Sequence, residues 1–162
     1  MHLIIDGYGG DTSMMGDAAA IYGFLAEYPD AIAMTKITIP HVYTYVGQEP
    51  EDVGVSGFVL IAESHISIHT FPRRSYLNID VFSCKDFDTE KAIRELGERF
   101  SLRTIRSWKL QRGLEYSRPE TWGQLTYPKD NFVLQDHVEN FDHLTPVTLR
   151  PSHKILDAGD QG

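Results

Sequence analysis

The sequence predicts an α+β fold, a two-layer α/β sandwich in the order β-α-β-β-β-α-β. Its sheet is expected to be mostly antiparallel with helices on one face, followed by a C-terminal extension. Three observations lead there. Alternating or β-branched runs recur between 2 and 113, two segments carry helical spacing, and beyond about 115 prolines punctuate a polar stretch. The 162 residues suit one domain, taken as 1–114, with 115–162 as a partly irregular extension.

The elements follow in order. HLIIDGY (2–8) is a short β-like run closed by Gly9-Gly10. Asp11 and Thr12 offer cap oxygens to a helix over about 13–28, where Met14, Met15, Ala18, Ile21, Tyr22 and Leu25 share helical spacing. Pro29-Asp30 is expected to end it. AIAMTKITI (31–39) alternates, with Ala33, Thr35, Ile37 and Ile39 as the expected core face. GQEPEDVG (47–54) is a polar insert, and VSGFVLIAE (55–63) is so apolar that burial on both faces is expected. HISIHTF (65–71) stops at Pro72, and YLNIDVFSC (76–84) alternates. Asp88 caps a helix over 88–100, lined by Ala92, Ile93, Leu96 and Phe100, and 101–113 reads as a last strand. The 115–162 segment, with isolated aromatics, is expected to drape over the sheet or a partner, with a disordered end at 157–162.

Composition excludes several classes. A formal net charge of −8 argues against binding nucleic acid. A single cysteine, Cys84, builds neither a disulfide framework nor a cysteine-based zinc site. No apolar run reaches the roughly 18 residues of a membrane span, and MHLIIDGYGGD has no basic leader region. A cytoplasmic protein with no membrane partner is expected.

The chemistry concentrates in IAESHISIHTFPRRSY (61–76), where Glu63-Ser64 precedes two histidines. His65 and His69 are unsuited to a shared metal. On a strand, positions i and i+4 lie about 13 Å apart at roughly 3.3 Å per residue, and Ile66 and Ile68 disfavour the helix on which such a pair works. A serine-hydrolase elbow needs glycines around its nucleophile, and Ala62-Glu63-Ser64-His65 has none. Taken singly, Ser64 or His69 would be an ordinary strand residue, Ser67 and His65 polar positions on a solvated face, and Cys84 a small buried hydrophobe at a strand end.

Taken together, GVSGFVLIAESHISIHTFP (54–72) and YLNIDVFSC (76–84) resemble the signature of the small prokaryotic S-adenosylmethionine decarboxylases. The resemblance runs over about 2–112, from the HL start through Tyr8–Asp11. It implies a self-cleaving proenzyme whose cofactor is a pyruvoyl group made from Ser64, with no metal. Cleavage would fall between Glu63 and Ser64, assisted by Ser56 and His69, with His69 removing the Ser64 α-proton. Cys84 would be the proton donor in turnover, as a mostly protonated thiol can be. The pyruvoyl carbonyl would form a Schiff base with an amino-acid substrate, S-adenosylmethionine, on the route to spermidine. Family members associate as homodimers of processed protomers with active sites at the interface.

Phe71 and Tyr43 are the expected substrate-binding aromatics for an adenine and a sulfonium. Arg73 stands where the family pattern is acidic, and a guanidinium cannot accept hydrogen bonds from ribose hydroxyls. Leu77 and Asn78 are bulkier than the pattern, and Gly10 replaces a frequent cysteine. These departures leave open the same chemistry on ornithine or arginine, and an unprocessed, non-catalytic paralogue acting as a binding subunit.

Overall fold

The computed structural model describes residues 1–111 and the backbone of 135–140. Its elements are β1 (His2–Tyr8), α1 (Thr12–Gly16), α2 (Ala18–Ala31), β2 (His41–Tyr45), β3 (Gly54–Ile61), β4 (Ser64–Phe71), β5 (Tyr76–Ser83), α3 (Thr89–Arg99), β6 (Thr104–Leu110) and β7 (Gln135–Asn140). Seven strands form one sheet in the order β2-β3-β4-β5-β1-β6-β7, and every named pairing is antiparallel. The α+β character stands. Of the extension expected over 115–162, only β7 lies within the described residues, paired along β6.

Strand alternation sorts the sheet into two faces. Leu3 and Ile5, Val55, Val59 and Ile61, Ile66 and Ile68, Leu77, Ile79 and Val81, and Ile105 are all buried, and they join the buried residues of α1, α2 and α3 in one cluster. Phe24 of α2 meets Phe100, just after α3, edge-on at 5.2 Å. Each such fully buried side chain contributes about 1.5–3 kcal/mol. The alternate positions face away from that cluster.

Four details correct the sequence reading. The order β-α-β-β-β-α-β omits a strand, because four strands separate α2 from α3. The expected first helix is two: Asp17 breaks it, capping α2 by accepting from the Ala19 amide, and α2 continues through Pro29 to Ala31. The segment 31–39 is not a strand. Ala33 turns the chain with φ +57°, and a single bridge, Lys36 to Ile61, ties it to β3. Met34 is buried there, whereas Ile37 and Ile39 are 61% and 70% exposed, so the expected core face is reversed. The edge strand is β2 instead. Finally, β3 is buried on one face only, since Phe58 and Leu60 are 40% and 39% exposed.

Candidate active site

The glycines of GVSG do packing work. A Cβ on Gly54 would lie 1.8 Å from the Thr70 carbonyl oxygen, and one on Gly57 would press on Leu25 Cδ1 at 2.8 Å. Their absence lets β3 lie tightly against β4 and α2 while Ser56 stands on the opposite face. Buried Thr70 adds a tie, because its Oγ1 accepts from the Val55 amide at 2.9 Å and lies 2.8 Å from the Met15 carbonyl.

Register then assembles a row across the open face. Tyr43 pairs with Ser56, Ser56 with His69, His69 with Asn78, Asn78 with Asp6, and Asp6 with Arg106. Within it, His69 Nδ1 and Ser56 Oγ are 2.8 Å apart. Asn78 Nδ2 donates to Asp6 Oδ1 at 2.6 Å and to the Tyr76 hydroxyl at 2.5 Å. Burial, aided by the Asp6 carboxylate, pushes Tyr76 up to about 12 even though the Asn78 hydrogen bond acts the other way. Tyr8 is raised as well, first by burial and then by Asp6. Both phenols therefore stay neutral at physiological pH. Phe71, Tyr76 and Tyr8 make an aromatic ladder, with centroid spacings of 5.6 and 5.0 Å. Tyr43 is 63% exposed, and Arg73 lies exposed in the short turn Pro72–Arg74.

A second cluster forms where β3 turns into β4. Ile61 pairs with Ser64, so Ala62-Glu63 is a two-residue hairpin turn, and the strand expected to run through 63 ends at Ile61. Ser64 also pairs with Ser83, which brings Cys84 alongside: its amide donates to the Glu63 carbonyl oxygen at 2.9 Å. The Glu63 carboxylate accepts from the Thr35 amide at 3.1 Å. Ser64 Oγ lies 3.2 Å from His65 Nδ1. The Cys84 thiol is exposed.

Ser64 holds φ +154°, a region that costs a non-glycine residue about 1–3 kcal/mol. The strain has a chemical consequence. In an L residue Cβ is offset from the carbonyl carbon by a third of a turn about N–Cα, so ordinary negative φ values point Cβ away from the preceding carbonyl. At this φ, Cβ swings to the side of the Glu63 carbonyl carbon. A five-membered ring through Glu63 C, Ser64 N, Cα, Cβ and Oγ needs that arrangement, and the Cys84 amide sits where the resulting oxyanion would form.

The structure thus brings Ser56 to His69, and Glu63 and Ser64 to Cys84, but it separates the two groups. His69 is five positions beyond Ser64 on β4, about 16 Å along an extended strand. Sequence reading missed the Asp6–Asn78–Tyr76 network, whose signal was the alternation of polar residues along β1 and β5. Among the described residues no group of three or more His, Cys, Asp or Glu is arranged to hold a metal ion, and no helix is long and apolar enough to cross a membrane.

A model of the S-adenosylmethionine decarboxylase family matches residues 1–113. The S-adenosylmethionine decarboxylase proenzyme of Archaeoglobus fulgidus is 34% identical over 113 residues, covering 69% of this chain and 96% of that protein. The proenzyme of the same name from Pyrococcus horikoshii is 33% identical over 115 residues, 70% of this chain and 78% of that one. That of Clostridium botulinum is 33% identical over 113 residues, 69% and 92%.

Proposed function

The chain belongs to the S-adenosylmethionine decarboxylase family, and from that premise we infer that it is a self-processing decarboxylase of S-adenosylmethionine, made as a proenzyme. The relatives do not favour ornithine or arginine. The catalytic unit is 1–114, and a cytoplasmic location belongs to the same reading. The observation that carries the chemistry is the Glu63 carbonyl, held by the Cys84 amide at 2.9 Å beside a Ser64 whose φ of +154° favours ring closure.

Ser64 Oγ attacks Glu63 and the acyl group moves from nitrogen to oxygen. Removal of the Ser64 α-proton then expels Glu63 as a free C-terminus, leaving chains 1–63 and 64–162. The dehydroalanine left at residue 64 takes up water and loses ammonia, and the pyruvoyl carbonyl so formed would supply the electron sink for loss of CO₂. The residues around it fit such a group, since the strained serine and its carbonyl donor are what its formation requires. Cys84, exposed directly beside the scissile peptide, returns a proton to the substrate carbon. Phe71, stacked on Tyr76, and Tyr43 offer faces to the adenine and sulfonium.

His69 takes the α-proton, assisted by Ser56. A gap of about 16 Å is far beyond the roughly 3 Å of a proton transfer, so these two residues act on Ser64 of a second copy. The half-exposed Phe58 and Leu60 on the open sheet face support a homodimer stacked through that face.

The deciding experiment is the denatured intact mass of the purified protein. Two fragments divided after Glu63, the larger beginning with pyruvoyl instead of serine, are expected. A single uncleaved mass would remove the proenzyme reading.

A further inference from the structure

Resting on that reading, we propose that His65 is the catalytic base and acid of the first processing step, the acyl shift from nitrogen to oxygen. His65 Nδ1 lies 3.2 Å from Ser64 Oγ. As the Nε2–H tautomer, its Nδ1 accepts from the hydroxyl that must lose its proton. The ring is oriented by packing: Leu60 and Phe82 are its cross-strand neighbours, and Phe82 meets it edge-on with centroids 5.7 Å apart. His69 is not placed for this step within the same chain.

The step balances as follows. Oγ bonds to the Glu63 carbonyl carbon while its proton passes to His65 Nδ1. The carbonyl electron pair moves onto the oxygen that already accepts from the Cys84 amide. As the pair returns, the bond from Glu63 carbon to Ser64 nitrogen breaks, and the proton on Nδ1 passes to that nitrogen. An ester and a free amine result, and the imidazole is neutral again. His65 and His69 thereby divide the processing, His65 serving the acyl shift in its own chain and His69 the later elimination from the second copy.

The test is the rate of self-cleavage of freshly synthesised precursor, followed by denatured mass, for wild type, Ser64→Ala, His65→Ala and His65→Asn, with each fold checked by thermal melting. His65→Ala should slow cleavage on the order of 10²-fold, a typical general acid–base contribution. Free imidazole should restore much of that rate, which a purely structural loss would not permit. His65→Asn keeps a similar shape without the basicity, should be equally slow, and stands in if the alanine variant does not fold. Wild-type rates in the His65 variants, or slow rates that imidazole leaves unchanged, would overturn the role of His65. Provided Ser64→Ala stays uncleaved, the proenzyme reading survives either result; cleavage of Ser64→Ala would remove both.

Discussion

The turn of the β3–β4 hairpin and its middle lie a few residues apart and are built differently. At the turn the backbone itself is distorted: Ser64 is strained at φ +154°, and the Glu63 carbonyl is held by the amide of Cys84, just past the end of β5. In the middle, Ser56 and His69 occupy ordinary, unstrained positions of a regular register and meet only as side chains. In the proposed scheme the turn carries the bond to be broken, and the middle carries a proton acceptor that reaches it only from a second copy.

The largest expected effect removes the turn's chemistry. Ser64→Ala should stay a single chain of 162 residues by denatured mass, with no cleavage over days. The next tests whether the two regions cooperate across copies. His69→Ala alone should process poorly, but co-expressed with Ser64→Ala its chains should be cleaved in the mixed dimers. If mixing restores nothing, the second-copy arrangement is wrong.

A third separates processing from turnover. Cys84→Ala keeps the backbone amide that faces Glu63, so it should still cleave, while turnover measured as CO₂ release falls about 10²-fold. Arg73→Glu should lower the KM for S-adenosylmethionine about tenfold, since a carboxylate can accept from ribose hydroxyls with the strength of a charged hydrogen bond. No gain would place the ribose elsewhere.

The smallest effect concerns the polar row beside the middle. Tyr76 has a folded-state value of about 12 against 10.0 unfolded. The stability linked to it is complete below pH 10 and declines as pH rises from there through 12. Urea midpoints at pH 9 and 11 should therefore fall more in wild type than in Tyr76→Phe.

Much of this was legible in local pattern. The alternation of 76–84 and the Asp88-capped helix are the observed β5 and α3, because in each the buried face repeats at the period of its own element. Segment 31–39 misled because it alternates equally well, yet its only ladder contact is one bridge. Apolar β3 misled for the opposite reason. Phe58 and Leu60 read as core although the face they occupy lies open in a single chain. The motif residues were identifiable by type and order, while the partner of each was not. Asn78 became a candidate only when register set it beside Asp6, and His65, adjacent to Ser64 in the chain, only when its ring was found within 3.2 Å of the Ser64 hydroxyl.

By itself, then, the sequence determined which residue types could do the chemistry, the α+β class, and the family, since composition, period and motif order are properties of neighbours along the chain. Tertiary structure alone decided that the Cys84 amide faces the Glu63 carbonyl and that Ser64 is wound toward ring closure. Those facts depend on strand pairing and on one backbone angle at a hairpin turn, and no local sequence pattern encodes either.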